Sequence, residues 1–176
     1  METFFGEDLT RHNCRYERAT SVAITRQSGH YALVPSWRDS ATQEAQDDLD
    51  GLVNAALPFA QQMLDKSGEF YPYGVALTDQ GETRMVAGDG LGEHPASATV
   101  LETLVSGLRG ERDALRAAAL VADVRANGSD TVRVELEHRD GHAIAVLLPY
   151  KKKRLGRGIE YGQLTAATGS HQIWGA

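Results

Sequence analysis

Apolar residues recur at three- and four-residue steps between residues 49 and 64. The members of this stripe are Leu49, Leu52, Val53, Ala56, Ala60, Met63 and Leu64. Such spacing gathers the side chains on one face, which predicts an amphipathic helix packed on a core. Asp39 or Ser40 is the expected N-terminal cap, and Gly68 suits the left-handed residue that ends a helix. Pro58 interrupts the stripe, so a kink or two abutting helices are expected.

A second stripe predicts a second amphipathic helix further along the chain. It consists of Val100, Leu101, Leu104, Val105 and Leu108. Thr99 and Glu102 have the spacing of a capping box, in which each side chain bonds the backbone N–H of the other residue. The acidic run from Glu44 to Asp50 is interpreted as the solvent-facing side and N-terminal turns of the first helix, because negative charge is favoured at that end.

A β-hairpin pattern lies between the two helices, from Phe70 to Ala87. Aromatic and aliphatic residues fill its first half, as strands prefer, and Asp79-Gln80-Gly81 supplies a tight turn. The Asp140-Gly141 pair predicts a second hairpin after the second helix. Together with one strand before it, this gives three more expected strands, over residues 118–125, 131–138 and 142–148.

The middle one of these three strands alternates strictly between apolar and charged residues. Its even positions, from Val132 to Leu136, are apolar, and its odd positions, from Arg133 to Glu137, are charged. Because successive side chains point to opposite faces of a strand, one solvent-exposed face is expected here. The next strand is apolar at successive positions, which places it inside the sheet rather than at its edge.

These elements predict an α+β fold with a five-stranded, mostly antiparallel sheet and two amphipathic helices, in the order helix, two strands, helix, three strands. A further hairpin pattern spans residues 21–35, ahead of the first helix. We therefore divide the chain into an N-terminal extension with a β-hairpin, residues 1–38, and a single α+β domain, residues 39–176. Two strands alone are marginally stable in water. The N-terminal hairpin is thus expected to pack on the main sheet or on a second subunit, or to be partly mobile.

Composition and charge limit the binding partners and the cellular compartment that are expected for this protein. The 176 residues are 41% hydrophobic and 24% charged, with a net charge of −6. These values are ordinary for a globular protein and argue against binding of nucleic acid or membrane over the whole surface. The single cysteine, Cys14, rules out a disulfide framework within one chain. No signal-peptide pattern and no transmembrane run are found, so a cytoplasmic protein is expected.

A basic segment follows the last apolar strand and is the sharpest charge anomaly in this acidic chain. With the tyrosine before it, the candidate ligand-binding residues are Tyr150, Lys151, Lys152, Lys153, Arg154 and Arg157. Lysine and arginine bind phosphate groups, and Tyr150 and Tyr161 offer rings on which bases could stack. The plainer interpretation is a solvated strand end, where lysines block edge-to-edge aggregation and tyrosines cover the end of the sheet with their hydroxyls in water.

Two sets of acidic residues are candidates for chemistry. Glu135 and Glu137 share a strand face and could perform acid–base catalysis or hold a divalent cation. Pairing of such residues with arginine or lysine across strands is commoner. Asp89, Glu93 and His94 lie in a glycine-rich loop and carry ligand atoms, but their spacing matches no metal motif.

The histidines are scattered along the chain. His138 and His142 bracket the Asp140-Gly141 turn and are expected to lie close together, but no cysteine or third histidine stands near them for zinc. We therefore predict no metal, no cofactor and no catalytic residue, and the sequence leans away from an enzyme.

Two motifs carry a resemblance to a known family. Phe70-Tyr71-Pro72-Tyr73-Gly74, within residues 68–77, and Pro149-Tyr150-Lys151-Lys152-Lys153-Arg154, within residues 147–154, resemble a family of small bacterial proteins with a domain of unknown function, commonest in actinobacteria. The resemblance covers roughly residues 49–161. It implies a bacterial cytoplasmic protein and transfers no catalytic residue, because no activity is known for that family. The order of elements is also similar to that of profilin-like and roadblock-like domains, whose folds host many functions.

Three functions are compatible with the sequence. The leading hypothesis is a non-enzymatic protein-interaction or regulatory domain that forms a homodimer, for example a regulatory or immunity-type partner. The second is a binder of a phosphorylated ligand or nucleic acid through Lys151–Arg157. The third is a metal-dependent hydrolase that uses the acidic residues and His94.

Overall fold

The computed structural model describes residues 37–88, 90, 92, 94–153 and 158–175. The hairpin expected over residues 21–35 lies outside this part of the chain. The chain divides into two units between Val34 and Pro35, and every described residue belongs to the second unit. The domain boundary expected after residue 38 stays a prediction. No helix in the described ranges is long and apolar enough to cross a membrane.

The first long helix carries the predicted apolar stripe and differs from the prediction at its start. Helix α1 spans Trp37–Ser40, and helix α2 spans Gln43–Ser67. Thr42 caps α2, since its hydroxyl accepts the Ala45 N–H at 3.2 Å, so the expected caps Asp39 and Ser40 are wrong. They belong to the short preceding helix instead. Gly68 ends α2 as expected, with φ 77° and its N–H donating to the Leu64 carbonyl at 2.8 Å.

Pro58 lies within α2, which is a single helix and not two abutting ones. Proline removes one N–H, which would have bonded the carbonyl four residues earlier, at Asn54. Both Pro58 and Asn54 are exposed. Because this carbonyl lies on the solvent side, water can satisfy it, and the helix continues past the proline.

The remaining elements follow the expected order. Strands β1 and β2 span Tyr73–Thr78 and Thr83–Val86, and helix α3 spans Ser97–Glu111. Strand β3 spans Leu115–Ala126, β4 Ser129–His138, β5 His142–Lys152, β6 Ile159–Tyr161 and β7 Thr165–Thr168. Ala96 stands at the N-cap position of α3 without a side-chain bond, so the capping box at Thr99 and Glu102 is wrong. Both residues lie inside the helix.

The seven strands found among the described residues form one antiparallel sheet in the order β2-β1-β3-β4-β5-β6, and β7 also pairs with β5. The fold is therefore α+β with an antiparallel sheet, as expected, but the prediction of five strands is wrong. The two strands that the sequence pattern missed are short, and β7 is exposed at all its positions. Neither strand has the apolar alternation that predicts a half-buried strand.

Strands β6 and β7 are two parts of one edge, which Pro149 interrupts. Tyr161 pairs with Tyr150, and Thr165 pairs with Leu147. Between these two pairs, the edge contains one residue more than β5 does. Pro149 lies opposite this bulge and has no N–H to donate, although its carbonyl accepts the Gly162 N–H at 2.7 Å. The missing donor explains why regular pairing stops there and resumes as β7.

The core has two parts, one on each face of the sheet. On one face, α2 packs its stripe on side chains of β1, β3, β4 and β5, including Val75, Val134 and Val146. On the other face, α3 contributes Leu104 and Leu108 to a smaller cluster over β1 and β3. Strands β1 and β3 are therefore buried on both faces, whereas the face of β4 and β5 that is turned away from α2 extends beyond this smaller cluster.

One glycine inside α2, Gly51, and one directly after it, Gly68, provide a test of where the helix ends. Gly68→Ala should lower the free energy of unfolding by about 1–2 kcal/mol, because a residue with a side chain is strained at a left-handed φ. Gly51→Ala should raise it by about 0.5–1 kcal/mol, because Gly51 lies in the helix interior and a Cβ there meets nothing within 4 Å. Urea unfolding measures both changes. A loss of stability in both variants would contradict this assignment.

Candidate interaction surface

The candidate stacking residue Tyr150 lies inside the protein. It is 2% exposed, belongs to the core cluster under α2, and donates its hydroxyl to Asp123 Oδ2 at 2.8 Å. Tyr161 lies beside it, with 6.5 Å between the ring centroids, and its hydroxyl donates to the Gln61 carbonyl at 3.3 Å. Both tyrosines cover the end of the sheet, but their hydroxyls bond to the protein. Tyr150 presents no ring face to a ligand in this conformation.

Burial shifts the proton affinities of this tyrosine–aspartate group. Loss of hydration raises the pKa of the Asp123 carboxyl, and the hydrogen bond from Tyr150 opposes that rise. Burial and the neighbouring Asp123 both raise the pKa of the Tyr150 hydroxyl. Burial also raises the pKa of Tyr161 to about 12. Both phenols are therefore neutral hydrogen-bond donors at physiological pH.

The three lysines of the basic segment occupy different environments at the end of the β5–β6 hairpin. All three are exposed. A Cβ placed on Gly68 would lie 3.7 Å from Lys152 Nζ, so this ammonium sits at the C-terminal end of α2, where the helix dipole favours positive charge. Lys151 lies opposite Glu160 in the ladder, and the Lys153 N–H donates to the Gly158 carbonyl at 3.1 Å. Arg154 and Arg157 lie outside the described residues.

The alternation of β4 predicts that Glu137 lies on an exposed face, but the residue is buried. It is 3% exposed. Its carboxylate accepts the backbone N–H groups of Gln172, Ile173 and Trp174 at 2.8, 2.6 and 2.9 Å, and His171 Nδ1 lies 3.3 Å away. A C-terminal segment, residues 170–174, covers this end of the strand. The expectation of a solvent-exposed face is thus wrong at Glu137, although it holds at Arg133, which is exposed.

Glu135, the other candidate carboxylate, is held differently on the same strand face. It contacts the guanidinium of Arg133 and accepts the Ser170 N–H at 3.3 Å. Both carboxylates therefore serve the same segment of the chain, and Glu137 provides most of the bonds. This arrangement gives the pair a structural role in anchoring residues 170–174.

A buried polar network that joins α2 to β3 and β4 was missed by the sequence interpretation. Asp48 is 9% exposed and accepts bonds from Arg116 at 2.8 Å and from His138 Nε2 at 3.3 Å. His138 Nδ1 accepts the Asp140 N–H at 3.1 Å, which fixes the proton of a neutral ring on Nε2. The acidic run of α2 is therefore not wholly solvent-facing. Asp48 stands three residues after Ala45 and four before Leu52, so it lies on the same helix face as these apolar residues. This spacing was the feature of the sequence that could have predicted its burial.

The glycine-rich loop and the paired histidines add no metal site within the described residues. His94 has φ 54°, and its Nδ1 lies 3.1 Å from the Tyr71 hydroxyl, while Asp89 and Glu93 are outside the described part. His138 and His142 lie directly opposite each other, as expected. In the ranges described, no group of three His, Cys, Asp or Glu residues is placed to hold a metal ion.

The edge at β7 is a further feature that the sequence pattern did not predict. Gly169 donates its N–H to the Ala143 carbonyl at 3.1 Å. Because bonded and non-bonded pairs alternate in an antiparallel ladder, Thr165 and Ala167 direct their backbone groups towards β5. Ala166 and Thr168 direct theirs outward. We call these outward N–H and C=O groups the β7 edge; no described strand pairs with it.

The side chains of β7 and of its neighbours in sequence carry no formal charge. The four residues of β7 are threonine and alanine, and all are exposed. Residues 161–176 contain no Asp, Glu, Lys or Arg, although such residues make up 24% of the chain. Natural sheets protect exposed edges with charges, prolines or a covering element. The β7 edge has no such charge or proline, and no strand within the described ranges pairs with it, so a further strand can do so.

The anchoring role of Glu137 can be tested against its neighbour. Glu137→Gln should lower the free energy of unfolding by about 2–4 kcal/mol, because an amide cannot accept all these backbone N–H groups and presents a donor to them. Glu135→Gln, the matched control, should cost about 1 kcal/mol or less. Thermal or urea unfolding gives both values. Equal losses in the two variants would refute the larger share of the anchoring that is assigned to Glu137.

Comparison with known proteins gives no family assignment. Neither the models of protein families, nor the curated proteins, nor the solved structures contain a match to this chain. The geometry described above is therefore the basis for the functional proposal.

Proposed function

We propose that this chain is a non-enzymatic protein-interaction domain that binds its partner through the β7 edge. The observation that carries the proposal is a strand whose outward backbone groups have no described strand beside them and whose four side chains are exposed and uncharged. An extended segment of another chain can add to such an edge through main-chain hydrogen bonds. Small side chains let the added strand approach without steric hindrance.

The opposite edge of the sheet is less suited to this role. There, β2 carries Arg84, whose guanidinium contacts Glu111 of α3. Charged side chains on an edge strand oppose the addition of another strand. Met85 of β2 is 41% exposed, but it is flanked by this ion pair. The contrast between the two edges favours β7 as the interaction site.

The buried polar groups also support a non-enzymatic role. Glu137 is occupied by the N–H groups of residues 172–174, and Asp48 is occupied by Arg116 and His138. A catalytic acid or base must reach a substrate proton directly or through one water molecule. These carboxylates instead satisfy groups of the protein itself, so we assign them to the support of the fold.

A second candidate function is binding of phosphate groups at the basic segment. It is favoured by the exposure of Lys151 and Lys153 at the end of the β5–β6 hairpin. The burial of Tyr150 removes the stacking residue from this hypothesis, which leaves an electrostatic contact without base recognition. We rank it below the β7 edge, because short runs of surface lysine are common without a ligand.

The two candidates predict different variants to be defective. For the β7 edge, Ala166→Pro removes an outward N–H without removing a bond to β5, whereas Ala166→Thr keeps that N–H. Immobilised wild type and Ala166→Thr should retain the same proteins from a lysate of the source cells, and Ala166→Pro should lose them. Retention of the same proteins by Ala166→Pro, or of none by the wild type, would contradict the proposal. A retained copy of the chain itself counts as a partner.

For the basic segment, a labelled single-stranded oligonucleotide is the probe. The double variant Lys151→Ala, Lys153→Ala should bind it more weakly, and the slope of log affinity against log salt should fall by about one per lysine. Lys66→Ala, an exposed lysine on α2, is the control. Fluorescence anisotropy at several salt concentrations measures the slopes. An unchanged slope in the double variant would end this alternative.

A further inference from the structure

We infer that the partner at the β7 edge is a second copy of this chain, paired antiparallel about a two-fold axis. The inference rests on the proposed function, since it needs the same edge to be an interaction site. It adds the identity of the partner, the direction of the added strand and the residues that meet at the axis.

Charge distribution favours a second copy. The chain carries a net charge of −6, so two copies repel each other over most approaches. Residues 161–176, which include all of β7, contain no Asp, Glu, Lys or Arg. Pairing through β7 therefore brings together two neutral strands. Like charges directly opposite in a ladder would destabilise the pair, and here there are none.

The hydrogen-bonding pattern fixes the register of this pairing. Each β7 strand offers outward N–H and C=O groups at Ala166 and Thr168, and bonded pairs form between such residues. A two-fold axis at Ala167 places Ala166 opposite Thr168 of the second copy, and Thr168 opposite its Ala166. Both outward residues of each strand are then bonded. An axis at Ala166 would instead place Thr168 opposite Leu164, which lies outside the strand.

The side chains fit this register. Ala167 meets its own copy across the axis as a non-bonded pair, the type in which two Cα atoms approach to about 4.5 Å. Alanine is small enough for this close approach. Its side chain shares a face with that of Ala145, its neighbour on β5, so the faces of the two sheets continue into each other. The two copies then form one continuous sheet in which neither β7 strand remains at an edge.

The oligomeric state tests the inference. Size-exclusion chromatography with light scattering should give a dimer for the wild type and for Ala166→Thr. Ala166→Pro and Thr168→Pro each remove an outward N–H from both copies, and each should raise the dimer dissociation constant by about tenfold or more. Circular dichroism checks that the variants fold. If one proline variant fails to fold, the other still decides, because each removes a different outward donor.

Cross-linking tests the register independently. In a Cys14→Ser background, Ala167→Cys places two thiols across the axis, at a separation that a disulfide can span. Mild oxidation should convert this variant into a covalent dimer, whereas Ser106→Cys, an exposed position on α3, should stay largely uncross-linked. Equal cross-linking of the two variants would overturn the register. A covalent dimer of Ala167→Cys alone supports it.

The outcomes separate this inference from the proposed function. A wild-type monomer that still captures another protein, in a manner abolished by Ala166→Pro, overturns the second copy as partner and leaves the β7 edge as the interaction site. A dimer that survives both proline variants overturns the inference, because the copies then meet elsewhere. Loss of both the dimer and the captured proteins in Ala166→Pro supports the two proposals together.

Discussion

Burial of β1 and β3 on both faces is the constraint on which the rest of this structure depends. Helices α2 and α3 lie on opposite sides of these two strands, and the alanines from Ala117 to Ala119 are fully buried between them. Small side chains let both helices approach the sheet closely. Strands β4 and β5 lie further along the sheet, past the region where α3 supplies the second layer. The face of β4 and β5 that α3 does not reach therefore needs another element to cover it. Strands β6 and β7 lie beyond β5, at the edge of the sheet.

The cover at the end of β4 is a piece of chain and not a helix. A carboxylate in the position of Glu137 would be costly to bury alone, but three backbone N–H groups and His171 satisfy it. The same bonds fix the chain that follows β7. The N–H groups of Gly162, before β7, and Gly169, after it, donate to carbonyls of β5. The outward side of β7 is thus presented by a segment that is anchored before and after it.

The buried polar side chains and the proposed interaction surface have different roles. Asp48, Arg116 and His138 form a network that ties α2 to β3 and β4, and Tyr150 with Asp123 ties β5 to β3. These are the side chains that a search for catalytic groups would select first, and each is used to join elements of the fold. The surface proposed for function is instead made of main-chain groups with small neutral side chains.

The sequence by itself determined the elements whose periodicity reflects burial on one side or on both: the stripe of α2 with its end at Gly68, the central hairpin, and β3, β4 and β5 in their order. It did not determine β6 and β7, because exposed strands of three and four residues lack an apolar alternation. It also mistook Asp48 and Glu137 for solvent-facing groups, since a charged residue is buried only when distant donors reach it, and those donors are 68 and 35 to 37 residues away in sequence. Tertiary structure decided these cases, because pairing between distant residues, and not local pattern, satisfies buried charge and creates an edge.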